Sequence, residues 1–70
     1  MKCYIASDWY ATMLFSTYPK RIENNGGEWD GYRLRDIEMR CYKDIHKIAK
    51  GQTFKDEPIE VEVEIKIKRL

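Results

Sequence analysis

The chain has 70 residues, a net charge of +1 and 36% charged residues with both signs interspersed. So short a chain hides only about 60% of its unfolded surface, which excludes more than one domain and makes self-association the expected source of extra stability. Near-neutral charge excludes partners held by overall charge, whether as a strongly basic nucleic-acid binder or as an acidic mimic of one.

Along the chain, residues 2–6 and 9–17 are rich in aromatic and β-favouring side chains, with Ser7 and Asp8 between them. The pattern fits two strands, or one long strand bulged at Ser7 and Asp8. Pro19 closes the segment, because it cannot donate to a central ladder. Asn24, Asn25, Gly26 and Gly27 form the strongest turn signal, since these residues tolerate positive φ. Residues 28–32 give a short return strand, weakened by Asp30 and Gly31.

Leu34, Ile37, Cys41, Ile45 and Ile48 recur at steps of three and four, which predicts a helix with one apolar stripe. Asp30 caps it if it starts at Gly31; otherwise Arg35 ends a strand and Asp36 enters the first turn. Gly51 is its stop, and Lys47 and Lys50 suit the negative end of its dipole. After a polar connection ending at Pro58, residues 59–70 alternate Ile59, Val61, Val63, Ile65 and Ile67 with Glu60, Glu62, Glu64, Lys66 and Lys68. Side chains on a strand point alternately to opposite faces, so this is a long strand with one greasy and one charged face. The whole predicts a single α+β domain over residues 1–70: a three- or four-stranded antiparallel sheet with one helix on one face, in strand–strand–helix–strand order.

Catalytic chemistry has little to work with. His46 is the only histidine and has no partner on its own face, and Cys41 lies in the apolar stripe as a packed thiol. Two cysteines and one histidine lack the spacing of a zinc site, and no glycine loop is built for phosphate. The reading is therefore not an enzyme, with no cofactor and no metal. The N-terminal residues lack the apolar stretch of a signal peptide, so Cys3 and Cys41 are expected to be reduced thiols in the cytoplasm. No apolar run approaches the ~20 residues of a membrane span.

Three surfaces remain. Glu38 falls roughly 40° from Leu34 by helical phase, inside the apolar arc. It either reaches the rim to meet Arg35 or Tyr42, or stands beside an apolar pocket that receives a partner. Ile37, Glu38, Met39 and Tyr42, with Trp29 and Tyr32 nearby, are the candidate protein-binding residues, because aromatic anchors with a polar rim suit such sites. The acidic start and basic end of the last strand are self-complementary about a two-fold axis. With Ile65 opposite Ile65, Glu64 faces Lys66 and Glu62 faces Lys68, which points to a homodimer. The alternative function is single-stranded nucleic-acid binding: Arg33, Arg40, Lys43 and Lys47 would meet phosphates, and exposed aromatics would stack on bases.

The segments Ala11-Thr12-Met13-Leu14-Phe15, Gly31-Tyr32-Arg33-Leu34-Arg35-Asp36-Ile37-Glu38-Met39 and Ile65-Lys66-Ile67-Lys68-Arg69-Leu70 resemble the small uracil-DNA glycosylase inhibitors of Bacillus phages. The resemblance covers less than a third of the chain. It implies a dimer of similar strand order that blocks the enzyme's DNA-binding surface, with Ile37 and Glu38 in the pocket that clasps an apolar side chain of the enzyme. This chain departs from that family in being longer and in lacking its net acidity. The function expected is thus that of a phage or mobile-element inhibitor that occludes a host protein.

Overall fold

A computed structural model describes residues 1–24 and 26–64 of the chain. Ile65, Lys66 and Lys68, on which half of the expected dimer register falls, lie outside the described residues, as does Asn25 in the glycine turn.

The β-rich N-terminal segment forms two strands rather than one bulged strand. They are β1 (Lys2–Ser7) and β2 (Thr12–Phe15), paired antiparallel with Ile5 opposite Leu14 and Ser7 opposite Thr12. Asp8 makes the reversal: its Oδ1 accepts the N–H groups of Tyr10 and Ala11, each at 2.7 Å, and its own N–H donates to the Ala11 carbonyl. A short polar side chain that caps the following backbone offers the turn an alternative to continued strand.

Next come β3 (Lys20–Ile22) and β4 (Glu28–Asp30), a separate antiparallel ladder with Arg21 opposite Trp29. Gly26 and Gly27 take φ of 91° and 100° in the connecting turn, as its sequence requires. A Cβ on Gly27 would stand 2.6 Å from the Phe54 ring, so that position is held to glycine twice over.

The expected helix is present in two pieces, α1 (Arg35–Arg40) and α2 (Tyr42–Ile48), with Cys41 between them at φ −103° and ψ 18°. The i→i+4 ladder still runs through the break, from the Cys41 N–H to the Ile37 carbonyl and from the Ile45 N–H to the Cys41 carbonyl. Asp30 belongs to β4, so it does not cap the helix, and Arg35 opens the helix rather than ending a strand, with Asp36 and Glu38 in the first turn. Gly51 stops it at φ 83°. The last strand, β5 (Ile59–Glu62), starts directly after Pro58 and pairs antiparallel with β1, Cys3 opposite Val61.

The architecture is α+β, with a three-stranded sheet in the order β2-β1-β5, a two-stranded ladder and two helices. Period-two alternation sends alternate β1 residues to opposite faces. Cys3 and Ile5 join Leu14, Ile45 and Ala49 beneath the helices, with Leu34, Ile37, Cys41, Ile59, Val61 and Val63 packed around them. Ala6, Met13 and Phe15 form a second cluster against Trp29, whose ring lies 5.3 Å from that of Phe54. The aliphatic side of β5 therefore turns inward toward the amphipathic helices, as its alternation predicts. The helix side alone was expected to be covered; the β3–β4 ladder also covers part of the other face.

Candidate partner-binding surface

The β2 edge is the most heavily constrained part of the surface. Leu14 lies in a strand at the rim of the sheet, and a rim strand turns alternate N–H and C=O groups outward. Residues 32–34 run beside it as irregular backbone. Leu34 donates its N–H to the Leu14 carbonyl at 2.8 Å, Ser16 donates to the Tyr32 carbonyl at 2.9 Å, and Phe15 forms an isolated antiparallel bridge with Arg33.

Glu38 completes this edge from the helix. Its Oε2 accepts the Leu14 N–H at 3.1 Å and the Arg33 Nε–H at 3.0 Å, while its Oε1 accepts Arg33 Nη2–H at 2.7 Å. The two-point fork of guanidinium on carboxylate is the strong form of such a pair. The pair is mostly buried, at 29% and 15% side-chain exposure for Arg33 and Glu38. Burial pushes the Glu38 carboxyl up. The hydrogen bonds from Arg33 and from the Leu14 N–H, with the charges of Arg33 and Arg35, outweigh it and hold the group below the ordinary carboxylate value. Arg33 is in turn held above its usual value by the Glu38 hydrogen bond.

Glu38 thus meets neither of the partners expected of it, Arg35 or Tyr42. Its acceptor capacity serves the sheet edge, and Arg33, one of the four expected phosphate-binding cations, is paired with it. Ile37 packs with the helix-side core. Trp29 lies on the opposite face of the sheet, where its indole N–H donates to the Ser7 carbonyl at 2.8 Å. Ile37 and Trp29 therefore do not share a surface.

Met39 and Tyr42 do. At helical steps of four, three and four, Arg35, Met39, Tyr42 and His46 form one row along the flank beside Glu38. Met39 is 78% exposed and Tyr42 59% exposed, and the Tyr42 and His46 rings lie 4.2 Å apart, tilted at 44°. Tyr32, 69% exposed, stands at the strip of backbone that closes β2. His46, expected to have no partner on its own face, thus has the Tyr42 ring beside it, and neither Arg35 nor His46 was among the expected binding residues, although the 35-39-42-46 spacing carried the signal.

The outward side of the helices is cationic. Arg35, Arg40, Lys43, Lys47 and Lys50 are all exposed, and none forms an ion pair among the described residues. Elsewhere three further ion pairs form: Lys2 with Glu60 at 3.4 Å, Arg21 with Glu57 at 3.6 Å, and the Met1 amino group with Glu62 at 2.7 Å. Glu62, expected to face Lys68 of a second copy, is thus engaged within the chain.

The β5 edge lies at the other rim of the sheet. Val63 donates its N–H to the Met1 carbonyl, so the alternation of an antiparallel ladder turns the backbone groups of Glu60, Glu62 and Glu64 away from β1. Between β5 and α2 lies a cleft of about 290 Å³, lined by Cys41, Asp44, Ile45, Ile48, Val61 and Val63 among others. Ile48, placed by its spacing in the apolar stripe, is 50% exposed at this cleft because β5 covers only one side of it.

Among the described residues no group of three or more His, Cys, Asp or Glu is placed to hold a metal ion. Cys3 is buried and Cys41 half-buried, both as free thiols, and burial raises the Cys3 pKa. No helix among the described residues is long and apolar enough to cross a membrane. Comparison with protein-family models, with curated proteins and with solved structures finds no match to this chain.

Proposed function

We propose that this chain is a small non-catalytic binding protein that acts in the cytoplasm, covering the working surface of a host protein on behalf of a phage or other mobile element. The observation that supports the reading is the Met39–Tyr42–His46 row, apolar and aromatic, exposed on a helix fixed from beneath. An exposed apolar group on a rigid element, ringed by charge, is the usual anatomy of a protein-docking anchor. Glu38 contributes by position: it locks α1 to β2, so the row is presented in one orientation. Among host enzymes, uracil-DNA glycosylase is the one that the resemblance to phage inhibitors names, and its capture is one outcome that the test below distinguishes.

The test is capture from nuclease-treated host lysate on the immobilised chain. Binding is expected to persist after nuclease and to fail in the Met39→Asp, Tyr42→Ala double variant. Capture that the double variant leaves intact refutes the reading.

A second reading, single-stranded nucleic-acid binding, draws on Arg40, Lys43 and Lys47, which form no ion pair among the described residues. It requires binding that vanishes with nuclease and falls steeply with salt. Self-pairing across the open β5 edge belongs to the same proposal, with Glu64 facing Lys66 of a second copy.

A further inference from the structure

We infer that the α1–α2 face takes a partner whose contacting surface is acidic. The inference rests on the proposal that this face docks a protein, and it adds the chemistry of that protein.

Charge distribution carries the argument. Five exposed cations on residues 35–50, less the exposed Asp36 and Asp44, leave a local excess of three positive charges. Arg33 and Glu38 cancel within their fork. The whole chain carries +1, so everything outside this face sums to −2. Among the described residues outside this face and that fork, four Lys or Arg stand against nine Asp or Glu, so the positive charge of the described residues gathers around the exposed apolar row. Two cations outside this face, Lys2 and Arg21, pair with Glu60 and Glu57, whereas among the described residues none of the five around Met39 and Tyr42 forms an ion pair. Unmatched charge at the rim of a docking site speeds encounter with the opposite sign and repels the same sign.

Two features favour an acidic protein over a phosphate backbone. Asp36 and Asp44 sit among the cations, where a continuous row of phosphates would meet them, while a protein surface of mixed sign can avoid them. Tyr42, the aromatic at the centre, has one side taken by the His46 ring at 4.2 Å, which limits it as a stacking platform for bases. The charge also disfavours a DNA-binding groove as the docking surface, because such a groove is cationic in order to neutralise phosphates. On this ground the partner differs from the glycosylase that the sequence resemblance implies.

The experiment is a nuclear magnetic resonance titration of the full ¹⁵N-labelled chain. Three probes are compared: an acidic amphipathic peptide alternating Glu pairs with Leu and Phe, the same peptide with Lys for Glu, and a fifteen-nucleotide oligothymidine. We expect the acidic peptide to shift amides of residues 35–47 and to bind at least roughly tenfold tighter than its lysine counterpart. Its binding should be lost in Lys43→Glu, Lys47→Glu, both exposed sites whose reversal leaves the fold intact by circular dichroism. Lys20→Glu, in the β3–β4 ladder, should bind as the unmodified chain does. Equal or tighter binding of the lysine peptide overturns the inference, as does oligothymidine binding tighter than the acidic peptide. A silent acidic peptide together with nuclease-resistant capture that depends on Met39 and Tyr42 overturns the charge inference and leaves the docking proposal standing. Loss of both results removes the two together.

Discussion

On the β2 edge, Leu14 gives its N–H to Glu38 and receives that of Leu34, so the outward backbone groups of Leu14 find partners in the same chain. On the β5 edge, Glu60 and Glu62 turn theirs outward with no backbone partner among the described residues. One rim is finished by a helix carboxylate and a stretch of irregular backbone; the other is guarded by charged side chains alone. An open edge is a template for a further strand, and charge on it selects which strand pairs. On the proposed reading the two rims serve different surfaces: the closed one fixes the helices that carry Met39 and Tyr42, and the open one would take the second copy.

The largest way to break this comparison is to open the closed edge. Glu38→Ala leaves the Leu14 N–H without its acceptor and Arg33 half-buried without its counter-charge. We expect a loss of about 2–4 kcal/mol in urea unfolding, since removing one partner costs the desolvation of the other. Glu38→Gln retains an acceptor for Leu14 and should cost less. Equal stability of Glu38→Ala and the unmodified chain removes the closed edge as a structural element.

The same carboxylate predicts an acid response. Its pKa is lower folded than unfolded, so the folded state binds fewer protons through this range. Its contribution is whole above the ordinary carboxylate pKa and declines as pH falls toward and through the depressed folded value. Stability against pH should therefore drop less steeply on the acid side in Glu38→Gln than in the unmodified chain. Parallel acid limbs for the two would show that this group does not set them.

Much of the fold was open to sequence reasoning because it depends on local period. The step of two in residues 59–64 and the step of three and four in residues 34–48 each specify a buried face from neighbours alone. Pro58, Gly51 and the Gly26–Gly27 turn mark boundaries for equally local reasons. What stayed hidden depends on elements meeting across the chain. Helical phase marked Glu38 as out of place, yet its partners lie on β2 and on irregular backbone, and no spacing rule points to them. Trp29 read as a surface aromatic because its strand is three residues long; only the packing of the β3–β4 ladder under Ala6, Met13 and Phe15 reveals its role. Ile48 obeyed the stripe and is still half-exposed, because the stripe there is longer than the β5 surface that covers it.

A smaller effect is expected where β5 begins. Gln52 ties the connecting loop to β1: its Nε2–H donates to the Ile5 carbonyl at 2.9 Å and its Oε1 accepts from Ser7 Oγ at 2.7 Å, with Thr12 Oγ1 on the other side of that hydroxyl. It fastens β1 by side chain at the end of its pairing with β5, where Ile5 lies opposite Ile59, and at Ser7 beyond it. Gln52→Ala should cost about 1–2 kcal/mol by urea unfolding, because a net hydrogen bond is worth about 1 kcal/mol and Ser7 is buried. No change would confine the closing of strand ends by side chains to the Glu38 edge.

The mildest perturbation tests the open edge. In the register with Ile65 opposite Ile65, Glu64 meets Lys66 of the second copy, and Glu64→Lys replaces attraction with repulsion at both symmetry-related positions. Exposed cross-strand charge pairs are weak, so the dissociation constant should rise only roughly two- to fivefold in sedimentation equilibrium. Lys66→Glu should act in the same direction, and combining the two substitutions should restore association, since the pair is then reversed rather than lost. Restoration separates pairing register from a general effect of charge, because the doubly substituted chain has the net charge of the original. A chain that is monomeric at every concentration, or a double substitution that weakens association further, would leave the β5 edge guarded by its charges and unpaired.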